Sequence, residues 1–377
     1  MKFSNIFFNN SSFAKDNQSL NLVDLTKKAC FFNQDSSGIY STLSLGYILE
    51  KKIERIIEDE LSGIGFSQMR LSLIQDADLW KETGRYEQYG DELFKLKNRT
   101  GKEFVLSATC EESITNIVKS YYNFTKTNLK MFQIGNKYRD ELRAKSGLVR
   151  GREFLMSDAY HFSNSKENIV TTYNEVRDAY IRIFNRLGLE FHIQGSDVGE
   201  MGGLASEEFR CISEFGEDIG EDGSKNLEIG HIFNLGTHYS EKMGLLDNIK
   251  QHVNMACFGI GVSRTLMALL EKQRDDKGFF GTAAFNTFDY IITAIDYEKN
   301  KEVADSIYQS LKKQGYTVLL DDRNVSAGNK FNDSELIGVS NRVIVSNKSI
   351  VANEYEVLNR ETNTAKTVSL EDLQQLE

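Results

Sequence analysis

The sequence contains no proline. At an average usage near 5%, a chain of this length would lack the residue by chance about once in 10⁸ draws, so selection or construction has acted against it. Cysteine is scarce as well. Cys30, Cys110, Cys211 and Cys257 lie far apart and form no CxxC pair, which excludes a disulfide framework or a zinc ribbon. Long apolar runs are missing too. The start, MKFSNIFFNNSSFAKD, holds only the triplet Ile6 to Phe8, too short for a signal-peptide core. No later segment approaches a membrane span, so the expected location is intracellular, in the cytoplasm. No internal repeat is evident. The formal net charge of -10 argues against nucleic-acid binding by total charge but leaves room for a local basic surface.

What is present describes a globular protein, with 40% hydrophobic and 27% charged residues. Its 377 residues predict two or three domains. Leu49, Ile53, Ile56, Ile57 and Leu61 recur at helical spacing before Gly63 and Gly65, predicting a long amphipathic helix. FSQMRLSLI then alternates like a strand. A second helix begins near Thr109 to Glu112, where acids suit the positive end of the helix dipole. KMFQIGNKYRDEL and REFLMSDAYHF read as strands flanking RAKSGLVRG, a basic hairpin loop bracketed by Gly147 and Gly151. NIVTTYNEVRDAYIRIFNRLG reads as a helix, GEDIGEDGSKN as an exposed acidic loop, and MACFGIGVSRTLMALLEKQ as an apolar run passing into a helix. From about Thr282 to Phe288 onward the pattern becomes strand, helix, strand, helix, strand, strand, which predicts a separate small α/β domain.

Positive charge gathers from Lys126 to Arg152, around YRDELRAKSGLVRGREFLM. A solvated basic face is the ordinary meaning of such a run. A site is the other: an arginine on a strand, a glutamate two residues later and further arginines on a glycine-bearing loop can grip a triphosphate. Arginine offers a rigid fork for phosphate oxygens, the acid accepts from amino groups, and Phe154 can stack on a ring. FGIGVSR adds a close backbone approach at Gly259 and Gly261 and a second arginine, Arg264. It is not a dinucleotide fingerprint, since the third glycine is missing.

These motifs together resemble the class II aminoacyl-tRNA synthetases. YRDE resembles the Arg-x-Glu motif, Arg150 and Phe154 its downstream Arg and Phe, GIGVSR the third motif, and the long helix with FSQMRLSLI the first, dimer-forming motif. Within that class the chain is similar to the bacterial-type prolyl-tRNA synthetases. ADLWKETGRYEQYGDELFKLKNRTGKEFVL, LEIGHIFNLGTHYSEKMG, CFGIGVSR and LLDDRNVSAGNKFNDSELIG carry the likeness over nearly the whole chain. The resemblance implies an α/β (α+β) fold: a catalytic domain over residues 1–283, built on an antiparallel sheet flanked by helices, and an anticodon-binding domain over 284–377. It implies ATP with Mg2+, L-proline and tRNA(Pro) as reactants and a homodimer as the assembly. Arg139 would clamp the α-phosphate and the substrate carboxylate, Arg264 would hold the γ-phosphate, and Glu141 and Phe154 would contact adenine with Arg150 assisting at the phosphates. Thr109 and Glu111 would hold the prolyl nitrogen, with His231 and Cys257 lining the same pocket. Cys257 and His231 also read as an ordinary buried thiol and a structural histidine. Arg323 and Lys330 are the candidates for tRNA contact, in a domain where acids outnumber bases; phosphate contacts would make tRNA affinity fall with salt.

The sequence departs from the family pattern. Ser44, Ser72, Asp76, Ala108, Asn128, Ala144, Thr282, Thr287, Ala327 and Ser340 stand where the family places prolines, Cys110 replaces a histidine, and Glu207 replaces another. Only the short acidic loop stands where bacterial members carry a large editing domain. The alternative to a ligase is a non-catalytic synthetase paralogue acting as a tRNA-binding or regulatory module; the loss of Arg139, Glu141 or Arg264 would mark it, and none is lost. Two origins of the missing proline stay open. A supplier of prolyl-tRNA that contains no proline is not blocked by starvation for its own product, and deliberate construction would give the same sequence.

Overall fold

In the computed structural model the described residues are 1–8, 20–121, 128–197, 199–201, 203–220 and 223–375. Lys126 of the basic stretch and Glu221 and Asp222 of the acidic loop lie outside them. The chain divides into two compact units. One comprises Asp35–Tyr40 and Lys52–Ala268, and the other Met1–Gln34, Ser41–Lys51 and Leu269–Glu377.

The larger unit follows from the predicted periodicities. Helix α1 (Ser44–Gly63), which belongs to this unit from Lys52 onward, buries Leu45, Leu49, Ile53, Ile57 and Leu61, one residue per turn. Strand β1 (Ser67–Gln68) follows, then helix α2 (Glu111–Tyr121) with Glu111 and Glu112 in its first turn. Strands β2 (Leu129–Tyr138) and β3 (Glu153–Ser163) form the predicted antiparallel hairpin. Helix α3 (Lys166–Arg186) is capped by the Ser165 side chain and released by Gly188 at φ 73°. Then come β4 (His192–Ser196), β5 (Ala205–Ile212), β6 (Asp218–Ile219), β7 (Lys225–Gly236), β8 (Asn254–Gly261) and helix α4 (Val262–Lys272). The strands make one eight-stranded sheet in the order β1-β2-β3-β8-β7-β5-β4, with β6 beside β7. Every pairing is antiparallel except β1 with β2. Tyr180 and Phe184 of α3 pack on the back of the sheet at Gly230, where a Cβ would sit 3.4 and 3.3 Å from their rings. The front face is left for a site.

Within FSQMRLSLI only Ser67–Gln68 and the final Ile74 are strand. Beyond Gln68 the Leu71 amide donates to the Gln133 side chain at 2.9 Å, so a side chain takes over from the ladder. Ile74–Asp76 then joins a different, three-stranded sheet with Lys95–Lys97 and Glu103–Leu106.

The other unit holds a five-stranded sheet. Its strands are β9 (Tyr290–Ala294), β10 (Val318–Asp321), β11 (Asn341–Val345), β12 (Tyr355–Asn359) and β13 (Thr364–Val368), in the order β10-β9-β11-β12-β13. The first three are parallel, with helices α5 (Tyr297–Lys313) and α6 (Ala327–Leu336) as crossovers, and the last two are antiparallel. Strand β13 is missing from the sequence pattern because most of its side chains are exposed and none gives an apolar period. The short helices Asn347–Ala352 and Leu370–Gln374 are likewise additional, and each begins with a capping box, Ser346/Ser349 and Ser369/Asp372.

Candidate active site

The sheet register builds the site floor. Gln133, Asp158, Gly259, His231, Glu208 and Gln194 pair in turn across six strands. Two residues away along each strand, and so on the same face, lies the row Met131, Tyr160, Cys257, Phe233 and Ser206. Above this floor is a cavity of about 380 Å³. Its lining includes Thr109, Glu111, Arg139, Glu141, Arg150, Phe154, His231, Cys257, Gly259, Gly261 and Arg264. Every residue expected at the amino acid or the nucleotide therefore meets in one space. Gly259 keeps the floor open: a Cβ there would lie 2.5 Å from the Met156 methyl group.

Arg139 continues the hairpin, its amide donating to Arg152 O at 3.0 Å. Its guanidinium lies 5.3 Å over the Phe154 ring, and its Nε is buried with no hydrogen-bond partner within the protein. Arg150 is paired twice, through Nε to Glu141 and through Nη1 to Glu217, each at 2.7 Å. Glu217 also takes Lys145 at 2.7 Å. The acidic loop thus ties down the basic one. The loop is propped from below, since Arg152 N donates to Gly38 O at 2.7 Å and Arg152 Nη1 to Ser37 O at 2.5 Å. Gly38 is required there twice over: its φ is +72°, and a Cβ would sit 2.6 Å from that of Ala144.

Arg264 donates from Nε to Val149 O at 3.1 Å and pairs with Glu228 at 3.2 Å. Burial alone would raise the Glu228 carboxyl. The His231 hydrogen bond and the charges of Arg264, His231 and Arg139 outweigh it and hold the group at about 2. His231 Nδ1 lies 3.1 Å from Glu228 Oε1, and the ring stacks on Phe233 at 3.8 Å. Glu208, Glu228 and His231 gather their ligand atoms within 4.8 Å, but Glu208 is committed to Arg210 and does not line the cavity. Burial pushes the Cys257 thiol well up, so it stays protonated beside Glu111.

Several residues reached through no motif complete the site. Lys137 is fully buried and pairs with Asp158 at 2.5 Å, whose other oxygen accepts from Gln133 at 2.9 Å and Tyr160 at 2.6 Å. Arg85, also fully buried, pairs with Glu112 and Glu111. The two departures from the family pattern sit off the lining. Cys110 lies behind the site, held by Ser107 at 3.0 Å, Gln133 at 3.2 Å and Gln75 at 3.4 Å, and burial foremost pushes its thiol up to about 12. Glu207 pairs with Arg177 at 3.3 Å.

Arg323 and Lys330, expected at a tRNA surface, are turned inward. Arg323 pairs with Asp321 and Asp333, each at 2.7 Å, and covers the Phe3 ring at 3.5 Å. Lys330 is 1% exposed and donates to Ala294 O at 2.7 Å and Asp321 O at 3.0 Å. Both carbonyls lie at the ends of neighbouring parallel strands, so the lysine ties β9, β10 and α6 together. Among the described residues no helix is long and apolar enough to cross a membrane.

Residues 94–273 match the tRNA synthetase class II core domain (G, H, P, S and T), and residues 290–376 match an anticodon binding domain. The proline–tRNA ligase of Bartonella tribocorum is 33% identical over 407 residues, with 92% of each chain covered. That of Rhizobium meliloti is 34% identical over 401 residues, with 90% of each covered. Among solved structures, the Giardia lamblia prolyl-tRNA synthetase in complex with prolyl-adenylate superposes with a TM-score of 0.84 at 19% identity, covering 94% of this chain and 76% of that one. By its identity to ligases that it matches almost end to end, and by a fold shared with solved synthetases, the chain belongs to the prolyl-tRNA synthetases, a family of class II aminoacyl-tRNA synthetases.

Proposed function

We propose that the chain joins L-proline to tRNA(Pro) in two steps within the cavity. First, a carboxylate oxygen of proline attacks the α-phosphorus of Mg·ATP, the bond to the bridging oxygen breaks, and pyrophosphate leaves prolyl-adenylate. Then a terminal ribose hydroxyl of the tRNA attacks the prolyl carbonyl and AMP departs. Catalysis of this kind is positioning and charge stabilisation, which needs donors aimed at the phosphates before they arrive.

Arg139 takes the α-phosphate and the carboxylate; its buried Nε without a protein partner supports a ligand there. Arg264 holds the γ-phosphate, braced by Val149 and Glu228. Phe154 stacks on adenine, with Glu141 beside it. Arg150 reaches the phosphates by exchanging one of its carboxylate partners, and Gly259 and Gly261 leave the nucleotide room. Thr109 and Glu111 receive the prolyl nitrogen, while His231 and Cys257 close the pocket around the ring. Mg2+ enters as the counter-ion of ATP. The ionised Glu228 carboxylate in the lining fits it, since magnesium sites on nucleotides use one or two carboxylates besides the phosphates. The Cryptosporidium parvum prolyl-tRNA synthetase has been solved with L-proline and AMP, which supports this pair of ligands here.

Residues 1–283 are assigned to catalysis and 284–377 to anticodon binding, in a cytoplasmic homodimer formed through α1 and the segment after it. Leu73 and Ile74, exposed at 38% and 54%, support an apolar contact there. The observation that carries the reading is the single cavity in which all the predicted substrate residues converge. Proline-dependent exchange of pyrophosphate into ATP tests it. Wild-type protein should exchange, and Arg139→Ala should lose about 100-fold or more of the rate. Absence of exchange with proline, or exchange driven by threonine or serine instead, would refute the assignment.

A further inference from the structure

Behind one wall of the cavity stands a guanidinium with no exposed surface, that of Arg85. Its Nη1 donates to both oxygens of Glu112, at 3.1 and 3.2 Å, and to Glu111 Oε2 at 3.3 Å. Its Nη2 donates to the Tyr89 hydroxyl at 3.1 Å and meets the Met201 sulfur at 3.3 Å. Trp80, Tyr89 and Tyr239 surround it, ring centroids 5.2, 5.1 and 5.6 Å away. Tyr89, Glu111 and Met201 line the cavity, whereas Arg85 and Glu112 do not. One side chain thereby fixes three lining residues from separate parts of the chain.

The two acids it holds are treated unequally. Glu112 is fully buried, gripped through both oxygens, and accepts the Thr83 hydroxyl at 2.9 Å. Glu111 meets Arg85 through Oε2 alone, and the same oxygen accepts the Thr109 hydroxyl. Burial raises the Glu112 carboxyl and the Arg85 charge opposes it, while the carboxylate that faces the cavity is Glu111. A buried cation needs an oriented acceptor. A cationic secondary amine delivered to Glu111 would meet a carboxylate already held in place by Arg85 and Thr109.

We infer that Arg85 is a positioning residue for the amino-acid end of the site, sequestering Glu112 and orienting Glu111, Tyr89 and Met201 to receive the substrate's secondary ammonium. This rests on the reading of Glu111 as the amine ligand. Arg85→Lys keeps the charge but loses the fork. Glu112→Gln keeps the fork and leaves Glu111 as the sole countercharge, drawing it away from the ligand.

Trp80 is the only tryptophan and lies against Arg85, so its emission serves as a reporter. Proline is titrated into wild type and both variants by Trp80 fluorescence, and pyrophosphate exchange is measured with proline and ATP varied separately. The expected result is a rise of about 10-fold or more in the proline midpoint and in KM for proline. KM for ATP should stay within about twofold. Folded variants with unchanged KM for proline, or with equal shifts for both substrates, would overturn the inference; if Arg85→Lys does not fold, Glu112→Gln decides. A wild type that titrates with proline but does not exchange refutes the ligase reading and leaves Arg85's role standing. An active wild type with folded variants whose proline midpoint and KM match it refutes only the role of Arg85.

Discussion

His161 sits on β3 with no exposed surface; its Nε2 lies 3.2 Å from Asn128 Oδ1 and its Nδ1 has no partner within the protein. Burial, and next the charge of Lys130, pull its pKa down to about 3 from an ordinary 6.5. The folded state therefore binds fewer protons than the unfolded chain between these values, and stability is lost as pH falls from 6.5 towards 3. Glu228, held at about 2, adds its own loss only below the ordinary 4.5 of a glutamate. The His161 contribution to stability should thus already fall between pH 7 and 5, with a slope of at most about 1.4 kcal/mol per pH unit. His161→Phe should flatten this step and leave the lower one. Urea midpoints at the two pH values check it, and equal losses in both proteins would contradict the assignment. At the same scale, the cavity-lining residues proposed for substrate were legible because motifs of fixed local spacing, such as Arg139 and Glu141, carry them. Arg85 and Lys137 were not, because their partners Glu112 and Asp158 are brought to them by the fold. Arg323 and Lys330 misled for the converse reason: a charge in a sequence reads as surface until its countercharge is located.

Thr287 and Ser340, at positions where the resemblance places prolines, make hydrogen bonds that proline cannot. The Thr287 amide donates to Gly338 O at 2.9 Å and its hydroxyl to Ile337 O at 2.8 Å. The Ser340 amide donates to Phe288 O at 3.1 Å and its hydroxyl to Thr282 O at 3.0 Å. Ala327 is different. It opens α6 directly after the cap Ser326, whose ψ of 151° suits a residue preceding proline. Ala327→Pro should therefore raise stability by about 0.4–1 kcal/mol by restricting the unfolded chain, while Thr287→Pro should lower it through the lost hydrogen bonds. Thermal melts of the two variants separate these outcomes; stabilisation by both would show that the hydrogen bonds at Thr287 contribute nothing. The long helices α1 and α3 could be read in advance since each buries a periodic apolar face, α1 with an apolar residue per turn. Strand β13 and the true course of FSQMRLSLI could not, because the first is set by backbone pairing and the second by one glutamine side chain.

For the molecule as a whole, the connection that matters most to fidelity is the short one from β5 to β7. Ser213 N donates to Lys225 O at 3.0 Å and Gly220 N to Ser224 O at 2.8 Å, so this stretch closes as a small hairpin. Glu217 on it is spent on Arg150 and Lys145. A hydrolytic domain has no room there, so under the proposed function the cavity is expected to do the discriminating. In the proposed reading Thr109 and Glu111 would take the amine of any amino acid, and the apolar lining, Phe233, Cys257, Tyr89 and Met201, would reward a ring without repelling a methyl group. Each missing methylene in such a pocket costs about 10- to 200-fold, which slows alanine without excluding it. Alanine should accordingly drive pyrophosphate exchange at high concentration, and alanyl-tRNA, once formed, should persist with AMP released in step with the charged product. Measuring AMP and charged tRNA together decides the matter: AMP accumulating well beyond the alanyl-tRNA formed would mean that the cavity, or the chain around it, hydrolyses its own errors.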